Sequence, residues 1–209
     1  MKMSRLAALG ATTALLAAGI PAAASAADTV RSGDYTVAAG KIVRGDLVVS
    51  GGTVTIHGTV TGNVRQSGKG SVIIGARGEV EGSVTETGTG GITVRGEVDG
   101  SVSEKGHGDI RVSGDVGGRL TEADGGGVIV ERAGEVDGSV TEKSAGSVRI
   151  AGSVDGSVTE SGSGGVTVEA RAEIDGSVRE QGSGDLLVRR GAEIEGRLSE
   201  SGSGSLIRR

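Results

Sequence analysis

Three sets of chemically active side chains recur along this sequence at intervals of 18 or 20 residues. Glutamates stand at 86, 104, 122, 142, 160, 180 and 200, with Gln66 one interval ahead of them. A second acidic set comprises Glu79/Glu81, Glu97/Asp99, Glu135/Asp137, Glu173/Asp175 and Glu193/Glu195. A third is rich in hydroxyls: Ser83/Thr85, Ser101/Ser103, Ser139/Thr141 and Ser157/Thr159. Clustered carboxylates suit calcium, a hard cation that takes oxygen ligands, and a flat hydroxyl array suits ordered water. Nucleophilic and acid–base catalysis have less to work with. There is no Cys, which removes thiolate nucleophiles, disulfides and thiolate metal sites together. His57 and His107 belong to different repeats, one in a strand and one in a corner, so neither reaches the other.

The intervals identify the elements that hold these residues. The string Gly-Glu-Val-Asp-Gly-Ser-Val occurs at 96–102 and again at 134–140. Aligned on Val-x-Gly-x-Val, the repeats start at Val60, Val80, Val98, Val116, Val136, Val154, Ile174 and Ile194, and every spacing is even. Side chains alternate between the two faces of a strand, so an insertion of two residues leaves the inward set inward, whereas a slip of one would expose it. Val98, Gly100, Val102, Ile110, Val112 and Gly114 share one parity; Asp99, Ser101, Ser103, Asp109, Arg111 and Ser113 share the other. The two-residue insertions fall after the second strand, as at Glu131-Arg132-Ala133 and Arg189-Arg190-Gly191. Helical spacing is absent, and 42 glycines in 209 residues would undermine helices.

The fold expected is therefore all-β: a parallel β-helix, or β-solenoid, of about eight coils of 18–20 residues over 60–209. Residues 27–59 are less regular. A one-residue slip near Gly52 marks a divergent first coil, and the stretch around Tyr35 and Val37 suits an N-terminal cap. Residues 1–26 read as a signal peptide: Lys2 and Arg5, an apolar run from Leu6 to Ile20, and Ala24-Ser25-Ala26 before a cleavage point near Ala27. The product is expected to be secreted or held at the cell surface, with no membrane span after cleavage.

The recurring Gly-x-Val-x-Gly-[Ser/Asn/Arg]-[Val/Leu] element, with Asp or Glu between Val and Gly, resembles the repeat of the bactofilins over about residues 40–207. The resemblance implies a right-handed β-helix in a polymer-forming bacterial scaffold that assembles end to end. Bactofilins lack a cleavable signal peptide, whereas one is expected at residues 1–26 of this chain. A left-handed hexapeptide helix would need an aliphatic residue every six positions, and Val98, Val102, Ile110 and Val112 do not supply it.

These readings point to a non-enzymatic structural scaffold, with no residue assigned a catalytic, cofactor-binding or metal-ligating role. Its partner would be a second copy stacked end to end, or a cell-wall component. An extracellular binding module for calcium, wall polymer or ice is the alternative. Against calcium, Arg77, Arg95 and Arg171 each precede the acidic pair of their own repeat, and the glycine-rich nonapeptide of calcium-binding β-rolls is missing. Against ice, Arg119, Arg179 and Arg197 interrupt the hydroxyl columns. A net charge of −5 and the absence of Trp and Phe disfavour nucleic acid and sugar stacking. Seven stacked buried carboxylates would be prohibitive, so the chain is expected to turn at the glutamate column and let corner N–H groups bind it. Arg208 falls where Val94, Val112 and Val188 stand in earlier repeats, a charge that discourages edge pairing.

Overall fold

The computed structural model describes residues 27–209; the signal peptide expected at 1–26 lies outside them. Among the described residues the regular structure is strand throughout. Each circuit of the chain gives one short strand to each of three parallel sheets in turn. Sheet A has ten strands, from Thr29–Ser32 to Leu198–Glu200. Sheet B has ten, from Tyr35–Val37 to Leu206–Arg208, and sheet C nine, from Ile42–Val43 to Glu193–Ile194. The result is a β-solenoid of ten coils spanning about 45 Å at about 4.8 Å per coil.

The alternating parity places the core as expected. Val98, Val102, Ile110 and Val112 have no exposed surface, while Asp99 and Arg111 face solvent. Each buried side chain packs on its own equivalent in the next coil: Val84 pairs with Val102, Val102 with Leu120, and Leu120 with Val140. Such columns of β-branched and aliphatic side chains suit a pleated surface buried on its inner face.

The coil count exceeds the repeat count because residues ahead of Val60 form coils in the same three sheets. The Tyr35–Val37 strand pairs with Val54–Ile56, and Thr29–Ser32 pairs with Leu47–Ser50. The odd spacing near Gly52 is absorbed at the corner between sheets A and B. There Gly51 and Gly52 take successive positive φ angles of 66° and 88°, which an L-residue adopts only at a cost. The even insertions are absorbed at the corner between sheets B and C. In those coils the corner is a turn closed by an N–H···O=C bond from Gly78 to Gly75, Gly134 to Glu131, Ala172 to Glu169, or Ala192 to Arg189. The extra pair of residues projects outward there and leaves both flanking strands in register.

This architecture makes adjacent residues differ sharply in tolerance. Val140 is fully buried in sheet A, and Val140→Asp places an unpaired carboxylate in a dry column. Chemical denaturation should show a loss greater than about 3 kcal/mol, the value of a buried aliphatic side chain at the upper end. Ser139 is half-buried and its hydroxyl accepts the Ser157 N–H. Asp46, in the equivalent place, accepts the Asn63 N–H through its carboxylate. Ser139→Asp should therefore cost less than about 1 kcal/mol.

Candidate functional site

The three recurrent sets occupy three different environments. The acidic pairs lie along the outside of sheet C, where Glu79, Glu97, Asp115, Glu135, Ser153, Glu173 and Glu193 stand directly opposite one another in successive strands. Most are exposed. Arg77, Arg95 and Arg171 form no close ion pair with them: the ion pairs among the described residues are Arg65–Asp46, Arg111–Glu131, Arg149–Glu169 and Arg189–Glu169. No group of three or more metal-ligating side chains converges among the described residues. The face is a solvated band of negative charge.

The serine column has a structural task. Ser83 Oγ accepts the N–H of Ser101, Ser101 Oγ that of Arg119, Ser157 Oγ that of Ser177, and Ser177 Oγ that of Arg197. Each hydroxyl thereby satisfies a corner amide of the coil above, and those serines no longer form a free hydroxyl lattice. Thr85, Ser103, Thr121, Thr141 and Thr159 remain as a single outward column on sheet A, ended by Arg179.

The glutamate column differs most from expectation. Glu86, Glu104, Glu122, Glu142, Glu160 and Glu180 have no exposed surface, and Gln66 has 1 %. They occupy the last inward position of their sheet A strands before the chain turns, so the carboxyls point into the solenoid. Strand register sets Gln66, Glu86, Glu104, Glu122, Glu142, Glu160, Glu180 and Glu200 opposite one another without a break. Below Gln66 the same column continues with Val49.

The corner N–H groups expected to bind these carboxylates do so for one oxygen of several rungs. Glu122 Oε1 accepts from Asp124, Gly125 and Gly126, at 3.0, 2.8 and 2.8 Å. Glu142 Oε1 accepts from the Ser144 and Gly146 N–H groups, Glu160 Oε1 from Gly164, and Glu180 Oε1 from Gly184. The geometry explains the spacing Glu-x-x-x-Gly that recurs in every one of these repeats. The glycine N–H aims back at the carboxyl, while its α-carbon lies against the coil below. A β-carbon at Gly126 would strike the Gly108 carbonyl, and one at Gly164 the Gly146 carbonyl.

The second oxygen is a different matter. Glu122, Glu142, Glu160 and Glu180 each leave Oε2 buried with no partner, and Glu86 and Glu104 leave both oxygens so. Gln66 donates through Nε2 to the carbonyls of Gly52, Ser67 and Lys69, and its Oε1 has no donor. Burial pushes the carboxyls of Glu86 and Glu142 above the ordinary range. Those of Glu104 and Glu160 are pushed up to about 8, first by burial and then by hydrogen bonding to a neighbouring glutamate. The parity of the sequence places these residues inward, whereas the general cost of burying charge argues for a turn that exposes them.

His57 and His107 are exposed and belong to different coils. An opening of about 450 Å³ at the C-terminal end is bounded by Val188, Ala192, Ile194, Leu198 and Arg208. Arg208 pairs in register with Val188 and so stands at a column position held by valine one coil earlier.

Residues 104–199, a little under half of the chain, match the family model of the bactofilins, described as polymer-forming and cytoskeletal. The matched segment is solenoid throughout, and the chain resembles that family in both repeat and fold. No curated protein and no solved structure matches the chain.

The glutamate column yields a test of its own. Glu122→Leu removes the acceptor for three corner N–H groups while adding apolar volume. It should destabilise the chain by about 1.5–3 kcal/mol in urea unfolding, because hydrogen bonds to a charged group are lost and donors are left without partners. Glu122→Gln retains an acceptor oxygen and should cost clearly less.

Proposed function

We propose that this chain is an exported, non-catalytic structural protein that builds larger assemblies by stacking its terminal coils. The reading is carried by the match to a polymer-forming family over a solenoid whose first and last described strands have no partner on their outer edges among the described residues. In the last coil the inward-facing Leu206 is 43 % exposed, whereas Leu186 opposite it one coil earlier has no exposed surface. Unpaired parallel strands with apolar side chains are ready templates for another chain. A second copy placed on the C-terminal coil would also cover the opening beside Ile194 and Leu198. The non-catalytic part of the reading is supported by the separation of the histidines and by a functional description, in the matching family, that is structural.

Arg208 tempers the association. Its charge sits at the end of an otherwise aliphatic column, so a copy stacking there must leave the guanidinium room to reach water. Export is supported by the composition of residues 1–26 and by the position of the first strand, which begins at Thr29. Cleavage near Ala27 would leave every described strand in place.

Sedimentation velocity and negative-stain microscopy at micromolar concentration test the assembly. Weak, concentration-dependent association is expected for the chain, and a marked shift to longer assemblies for Arg208→Val. A chain that stays monomeric at all concentrations, with and without the substitution, would refute end-to-end stacking. For export, the mature protein should begin near Ala27 by mass spectrometry, whereas intact Met1 in the cytoplasm would refute it.

A further inference from the structure

We propose that the solenoid interior binds protons as structural ligands: adjacent glutamates of the inward column share them as carboxylic acid–carboxylate hydrogen bonds that hold successive coils together. Three observations on the column carry this. Its rungs stand directly opposite one another from Gln66 to Glu200, so every glutamate from Glu104 to Glu180 has another carboxyl as its neighbour above and below. The oxygens without partners belong to neighbouring rungs, as with all four of Glu86 and Glu104. The first rung is an amide whose Oε1 is buried without a donor and whose strand position lies directly opposite Glu86.

Among the described residues no ion pair reaches the column. The inward positions of sheets B and C facing it are valine, isoleucine and leucine, such as Ile92, Ile110 and Val128 in sheet B and Val98 and Val116 in sheet C. The charged residues of the adjoining corners, Lys105, His107, Asp109, Asp124, Lys143 and Asp185, are exposed. Corner N–H groups bond one oxygen of Glu122, Glu142, Glu160 and Glu180, and those of Gly90 and Gly106 make only weaker approaches to Glu86 and Glu104. A chain of buried, unshared carboxylates would repel itself in a dry medium. One proton between two carboxyls removes a charge and supplies the missing donor in a single step, with strength added by the short, charge-assisted bond.

The direction of the pH dependence follows. Glu104 and Glu160 are raised from 4.5 to about 8 in the folded chain. A carboxyl raised in this way contributes stability that is complete below about 4.5 and is lost as pH rises through about 8. The folded chain therefore holds more protons than the unfolded one across that window, and unfolding near pH 6.5 releases about two protons per chain from these two rungs. This is the reverse of ordinary acid denaturation, in which carboxylates are stabilised in their ionised form.

The test is thermal unfolding of the full chain, followed by circular dichroism from pH 5 to 9 at constant ionic strength. The midpoint should fall by several degrees across the range. Glu104→Gln with Glu160→Gln should flatten that slope and raise the midpoint at pH 8.5, since Gln66 already shows that an amide fits the column. Glu97→Gln, on the exposed face of sheet C, should leave the slope unchanged, and a His57→Gln, His107→Gln background removes the other groups that titrate in the window. Should the double glutamine variant fail to fold, calorimetry of the unsubstituted chain in two buffers of different ionisation enthalpy counts the released protons directly. A midpoint that is flat or rises with pH, a slope unaltered in the folded glutamine variant, or no proton release on unfolding would each overturn the proposal.

Discussion

Parallel stacking in register places every residue about 4.8 Å from its own equivalent, and this self-contact governs which side chains the solenoid admits. An aliphatic side chain meets another aliphatic side chain and the core becomes continuous columns. A corner glycine meets the carbonyl of the glycine beneath it, closely enough to exclude a β-carbon at Gly126 or Gly164. A serine meets the amide of the next coil and accepts its N–H. One residue in five can be glycine here without loss of order, because many of the corner glycines, such as Gly126, Gly146 and Gly164, are packed against the equivalent glycine of the coil below. Stability in such a molecule is close to a sum over adjacent coils.

The glutamate column obeys the same constraint with a group that ordinarily could not. A carboxylate cannot sit beside itself in a dry interior, but a carboxyl that is half acid and half carboxylate can. The corner contributes as well: the glycine that permits close approach of the coils is also the one whose N–H reaches back to the glutamate. Glu122 and Gly126, or Glu160 and Gly164, are thus one unit in which tight stacking and charge stabilisation have a common origin.

Much of this was legible in the sequence, and the rest was hidden for identifiable reasons. The even spacings gave the coil, its inward set and the location of the two-residue insertions, since parity along a strand is a strict geometric rule. The two coils before Val60 were harder to see, because Gly51 and Gly52 compensate an odd spacing through backbone conformation and leave no trace in the apolar pattern. Glu86 and its equivalents were inward by parity yet charged by type. The resolving information lies in what faces them, another glutamate, and register between coils is what reveals that. The serine columns looked like a surface array because outward parity does not disclose that a hydroxyl is already bound to a neighbouring amide.

The position of Tyr35 determines how this protein can be observed. It is the sole aromatic side chain in the sequence, and it lies in the first described coil with the Arg31 guanidinium 5.2 Å from its ring centroid. Ultraviolet absorbance and emission therefore sample one end of the rod. A fluorescence trace would record fraying or docking at that terminus while the remaining coils stayed silent. Backbone amide signals, which weight all ten coils alike, would record the whole. Disagreement between the two signals would measure how far the end behaves independently of the body, a quantity that proteins with scattered aromatic residues do not offer.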